Sequence, residues 1–145
     1  MSQTPILIPA AILALWTLLV LLLIPFRRFQ AAVAGEVTAD DFRFGESGRV
    51  SDKVSLPNRS YMNLLEAPVL FYVLCLAMYV SEHLSPLSLK LAWAYVGLRV
   101  MHSVVHLSYN NVIHRLSLFA LSNLVLVALW LMLLMRLLGE QNVQG

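Results

Sequence analysis

From Ile6 to Ile24 the chain runs through 19 nearly continuous apolar positions, and no charged side chain precedes Arg27. Wound as a helix at about 1.5 Å per residue, such a run reaches about 30 Å, one hydrocarbon thickness. That restricts the fold to membrane helices, because lipid offers the backbone no hydrogen-bond partner and a helix satisfies its own. A cleaved signal peptide is the competing reading, but no basic region precedes the run and no small-residue cleavage site follows it, so the segment is expected to be retained. Pro5 and Pro9 suit its first turns, and Arg27-Arg28 marks its far end.

The rest of the chain has the same character. With 59% hydrophobic and 12% charged residues it is too apolar for an ordinary soluble domain. The net charge of +2 includes no basic run of the kind that binds nucleic acid, so that partner is set aside. Cys75, the single cysteine, lies in an apolar run and reads as a small buried hydrophobe.

Periodicity and breakers predict an all-α integral membrane protein: one domain over 1–145, a bundle of four transmembrane helices at about 5–26, 58–82, 87–107 and 116–137. A connection at about 27–57, rich in Gly, Ser, Asp, Glu and Arg, separates the first two. Its Phe42, Phe44, Gly45 and Gly48 suit either a lid or a mobile connector. Lys and Arg are unevenly shared between the two ends of such a bundle. Arg27, Arg28, Arg43, Arg49, Lys53, Arg59 and Arg115 lie at one end, Lys90 and Arg136 at the other. The positive-inside rule puts the seven in the cytoplasm and both termini on the non-cytoplasmic side.

Polar residues inside the predicted spans are costly and therefore informative. Arg59, Asn63 and Glu66 fall at i, i+4 and i+7 on one face of the second helix, just before Pro68. Pro68 should strand the Leu64 carbonyl and open the helix past Glu66. Arg99, His102 and His106 share a face of the third helix. A buried Glu66–Arg99 pair is the least costly way to hold both charges. The spacing alone leaves two readings for these residues, a polar seam between helices or a ligand site. His102 and His106 resemble a two-histidine metal face, but no third ligand accompanies them and no metal is expected. For Arg115, at the entrance to the fourth helix, the residues allow an interfacial anchor or a functional cation.

The pattern Arg59-x-x-x-Asn63-x-x-Glu66, followed by Arg99-x-x-His102-x-x-x-His106 and by Arg115 sixteen residues after Arg99, resembles the membrane-associated proteins in eicosanoid and glutathione metabolism, the MAPEG family. The likeness covers almost the whole chain. It implies a homotrimer of four-helix protomers, in a bacterial member a resident of the inner membrane, that binds glutathione between adjacent subunits near the cytoplasmic side. It implies that Arg59, Asn63, Glu66, Arg99, His102 and His106 form the glutathione site and that Arg115 stabilises the sulfur anion. The corresponding activity is a glutathione-dependent transferase or peroxidase acting on lipophilic electrophiles dissolved in lipid. The alternative is a non-catalytic protein of the same fold that binds a thiol, lipid or other small anion. Met62, His106, Leu116 and Phe119 depart from the family's usual polar residues at those places.

Overall fold

The structure, a computed structural model, describes residues 3–144. Five helices follow one another: α1 (Leu7–Val33), α2 (Asp52–Leu65), α3 (Ala67–Val80), α4 (Pro86–Leu107) and α5 (Val112–Gln144). Because α2 and α3 are two halves of one rod, the chain forms four antiparallel rods.

Helices α1, α2 and α5 each extend beyond an expected bound, and in each case a local signal explains why. Helix α1 passes Arg27-Arg28 and runs to Val33, because Ala31 to Ala34 are compatible with a helix and the first residue able to end it cheaply is Gly35. Gly35 takes φ +73°, and Glu36 N–H then donates to the Ala31 carbonyl at 3.0 Å, the closing bond of a left-handed C-terminal cap. Helix α2 starts at Asp52, not near residue 58. Ser51 is extended just before it, and the Asp52 carboxylate complements the positive end of the helix dipole. Helix α5 starts at Val112 because the Asn111 side-chain oxygen accepts from the N–H groups of Ile113 at 3.0 Å and His114 at 3.1 Å. Helix α4 begins in a capping box, with Ser85 and Ser88 bonded reciprocally and Pro86 in the first turn.

Each rod buries one stripe. On α1 it is Leu13, Thr17, Val20 and Ile24; on α5 it is Ser122, Leu126, Leu129 and Leu133. These stripes close on Phe71 and Leu74 of α3 and on Tyr95 of α4, where the Phe71 and Tyr95 rings stack at 4.5 Å. The outward faces are as apolar as the core: Leu15, Leu19, Leu22 and Leu124 are at least 60% exposed. The fully buried set, by contrast, includes Arg99, Ser103 and Ser122. A chain with grease outside and polar groups inside is built for a lipid solvent, in which packing and interhelical hydrogen bonds, not solvent exclusion, hold helices together.

Three helical stretches, 4–33, 52–80 and 112–139, are long and apolar enough to cross a membrane. Four spans were expected, and α4 differs from the other three rods in carrying Lys90, Arg99, His102 and His106. At 22 residues it is long enough, and Arg99, His102 and His106 are turned inward while Lys90 is exposed near its start.

The connection between α1 and α2 is folded. Ala31, Val37 and Val54 form a small second core with Phe42 and Val50 against it. Its centre is Asp41, whose carboxylate accepts from Thr38 N–H at 2.8 Å, the Thr38 hydroxyl at 3.1 Å and the Ser47 hydroxyl at 2.7 Å. These donors, the Thr38 amide first, hold the Asp41 carboxyl below its ordinary range. Arg28 reaches back from α1, its guanidinium 4.4 Å above the Phe42 ring and 3.4 Å from the Glu46 carboxylate.

Candidate functional site

The break between α2 and α3 creates the centre of the site. Pro68 has no N–H to give the Leu64 carbonyl, and Glu66 takes φ −82° and ψ −96°, off the helical path. The ladder resumes only at Val69 N–H, which donates to the Glu66 carbonyl at 3.3 Å. One turn earlier the same break leaves the Asn63 carbonyl outside both helices. Arg99 takes it: one terminal nitrogen of the guanidinium donates to the Asn63 carbonyl at 2.7 Å and to the Asn63 side-chain oxygen at 2.8 Å.

The expected Glu66–Arg99 ion pair is therefore not formed within the chain. Among the described residues the only ion pair is Arg28–Glu46, and Glu66 is exposed at the rim. The physical reason is that a freed main-chain oxygen and an amide oxygen on one residue give one guanidinium nitrogen two acceptors without burying a carboxylate. Arg99 is fully buried, with its Nε and other terminal nitrogen left without a protein partner, and its charge lies 5.6 Å from the centre of the Phe119 ring. That is within cation–π range.

The other residues singled out in the sequence gather around Arg99. His102, one turn along α4, uses Nδ1 to contact the Arg115 carbonyl at 3.0 Å. A carbonyl only accepts, so Nδ1 carries the proton, and the buried Nε2 has no hydrogen-bond partner. This bond ties the first turn of α5, and Arg115 with it, to α4. Arg115 itself donates to the Asn110 side chain at 2.7 Å, and its Nε is buried without a partner. The rings of His102 and His106 meet edge to face at 6.0 Å, and His106 Nδ1 is also unpartnered. The charges of Arg99 and Arg115 act on His102, and those of Arg115 and Arg59 act on His106. Arg59 is exposed on the same side of α2 as Asn63. One electropositive patch thus brings together residues that are far apart in the chain.

Three supporting contacts were not read from the sequence. Ser60 and Ser103, both buried, share a hydrogen bond of 3.0 Å that locks α2 to α4. Phe119 packs against both Arg99 and His102. Asn110, at φ +50°, turns the chain from α4 into α5 and positions Arg115. The Asn110-Asn111 pair was the available signal, since asparagine tolerates left-handed backbone and caps helices.

The patch is suited to an anion bearing several charges. Three guanidinium groups, at Arg59, Arg99 and Arg115, face it with no ion pair to any of them among the described residues, and Glu66 at the rim can take an ammonium group.

Comparison with known proteins yields no matching curated protein and no matching solved structure. The MAPEG family model matches residues 6–135, which takes in α1, α2, α3, α4, the site and most of α5. The chain belongs to the MAPEG family, membrane-bound proteins that include glutathione-dependent transferases as well as non-catalytic members.

Proposed function

We propose that the protein is a membrane-embedded glutathione-dependent transferase or peroxidase acting on lipophilic electrophiles. The observation that carries this reading is the balance of charge: three arginines without acidic partners and one free carboxylate at the rim. Glutathione as its thiolate has the complementary set, two carboxylates and a sulfur anion against one ammonium. Glutathione would supply the nucleophilic sulfur. The chain's part is to hold it and to keep it ionised.

In this reading Arg59 and Arg99 take the carboxylates, Glu66 takes the ammonium group and Asn63 contributes its free amide N–H donors. Arg115 stands where it can hold the sulfur as an anion, since a guanidinium stays charged in a low-dielectric setting and lowers a neighbouring thiol's pKa. His102 acts on the reaction through Arg115, by fixing the turn that carries it. His106 and its unpartnered Nδ1 complete the polar wall. An electrophile dissolved in lipid would approach between helices, along the exposed apolar side chains of Met62, Leu65 and Leu116.

The exposure of Arg59 and Glu66 on the isolated chain favours a site completed by a neighbouring subunit, in a homotrimer whose mass in detergent checks the stoichiometry. The uneven distribution of Lys and Arg favours an orientation with Arg115 on the cytoplasmic face of a bacterial inner membrane. A thiol placed at Ser47 should then react only with membrane-permeant reagents; labelling from outside intact cells would reverse the orientation.

The test is binding followed by turnover. Glutathione at a hundred times its dissociation constant should stabilise the purified protein by about 2.7 kcal/mol, read as a rise in melting temperature, and an aryl halide should then be conjugated. No shift with glutathione removes this reading. A shift without conjugation moves the protein to the second reading, non-catalytic binding of a thiol or other small anion. That reading is favoured by Met62, Leu116 and Phe119, which offer no hydrogen bond where more polar side chains could hold the tripeptide.

A further inference from the structure

A second basic site lies at the same end of the bundle. Between α1, the start of α2 and the end of α4 is a cavity of about 310 Å³, walled by Leu23, Leu56 and Leu107 and rimmed by Arg27, Lys53 and Ser108. No carboxylate lines it. Arg27 and Lys53 also form the inner wall of an adjoining cavity of about 270 Å³, where Glu36 and Ser51 lie. The two cations are therefore shared by both cavities, and the carboxylate of the lining, Glu36, lies in the second. Neither is in an ion pair among the described residues, where Arg28–Glu46 is the only one.

The depth is that of a lipid phosphate. Arg27 stands 20 residues beyond Leu7, the first residue of α1, which at about 1.5 Å per residue places it about 30 Å along the helix, one hydrocarbon thickness from its other end. We infer that the Arg27–Lys53 cavity binds the headgroup of an anionic phospholipid, its phosphate between the two cations and its acyl chain along Leu23, Leu56 and Leu107. Basic pockets between helices at the membrane surface have this chemistry. A nearby cavity of about 360 Å³ beside Phe29 makes the contrast: its cation, Arg28, is already stacked on Phe42 and paired with Glu46. Of these cavities, the one rimmed by Arg27 and Lys53 holds cations that are in no ion pair among the described residues.

The experiment is native mass spectrometry of the protein in neutral detergent, with phosphatidylglycerol or phosphatidylcholine of the same acyl chains. It needs no glutathione, so its result is independent of the catalytic reading. Phosphatidylglycerol should survive detergent exchange and phosphatidylcholine should not. Arg27→Gln and Lys53→Gln should each lower retention about fivefold, the worth of one cation near an anionic lipid. Lys53→Arg should preserve it, and melting temperatures should match across the variants. Arg43→Gln and Arg49→Gln, which remove cations from the same end of the bundle, should leave it unchanged. Equal retention of the two lipids overturns the inference, as does an equal loss in all four glutamine variants. Full displacement by inorganic phosphate alone would assign the cavity to a bare oxyanion and overturn the lipid assignment.

Discussion

The α1–α2 connection and the α2–α4–α5 seam both contain arginine, acid and amide groups, but the two regions handle them differently. In the connection the charged groups find partners within the chain, and Arg28 Nε is the nitrogen of that network left buried without one among the described residues. Asp41 accepts three side-chain-directed bonds, and Arg28 sits on Phe42 and pairs with Glu46. In the seam, Arg99, His102, His106 and Arg115 each keep a buried nitrogen with no hydrogen-bond partner, and Glu66 forms no ion pair among the described residues. The seam carries this cost in or beside lipid, where such groups are most expensive. Closed networks of the first kind hold a fold together, whereas open ones of the second kind suit a ligand.

The largest effect expected from breaking this contrast is at Arg99. Asn63→Leu removes its side-chain acceptor and leaves a buried guanidinium with the Asn63 carbonyl alone, a loss of about 1–3 kcal/mol on unfolding in detergent. Pairing it with Arg99→Met should recover part of that loss, because no buried charge then remains. Strict additivity of the two single changes would show that the 2.8 Å contact carries no coupling.

Next is Arg115→Ala, expected to lower turnover a hundredfold or more, the scale of a lost electrostatic contact to a developing or full anion, with Arg115→Lys recovering part. Unchanged turnover would make Arg115 an interfacial anchor and the seam a structural device.

The smallest effect is local. The Asp41 carboxyl titrates below its ordinary value of 3.8, so the ionised form is favoured by folding. Its contribution is complete above that ordinary value and is lost as pH falls through the lower, folded value. Amide exchange in 36–50 should therefore accelerate below about pH 4, relative to the intrinsic rate, while α5 stays protected. Asp41→Asn should exchange fast at every pH. Acid-insensitive protection would mean that the connection is held by Val37, Phe42 and Val54 alone.

Much of this architecture was legible in the sequence because lipid leaves few options. Ile6 to Ile24 can be little other than a membrane helix, and the placement of Arg59, Asn63, Glu66, Arg99, His102 and His106 at helical spacing brought them together before any coordinates did. What was not legible depended on contacts between helices. Pro68 predicted a free carbonyl at Leu64, but the acceptor that mattered, Asn63, became available only because the break extends to Glu66, and that diverted Arg99 from the acid. The reach of α1 to Val33 was written in Gly35, yet Arg27-Arg28 dominated the reading as the end of the apolar run. Apolar length marks where the lipid ends, and capping residues mark where the helix ends; here the two differ.

The thiolate assignment can be tested most directly by titrating the ultraviolet thiolate band of glutathione bound to the wild-type protein and to Arg115→Ala. The assignment predicts a thiol ionised well below its solution pKa in the wild type and restored toward it in Arg115→Ala, with binding retained. A bound thiol that titrates identically in both proteins would contradict it.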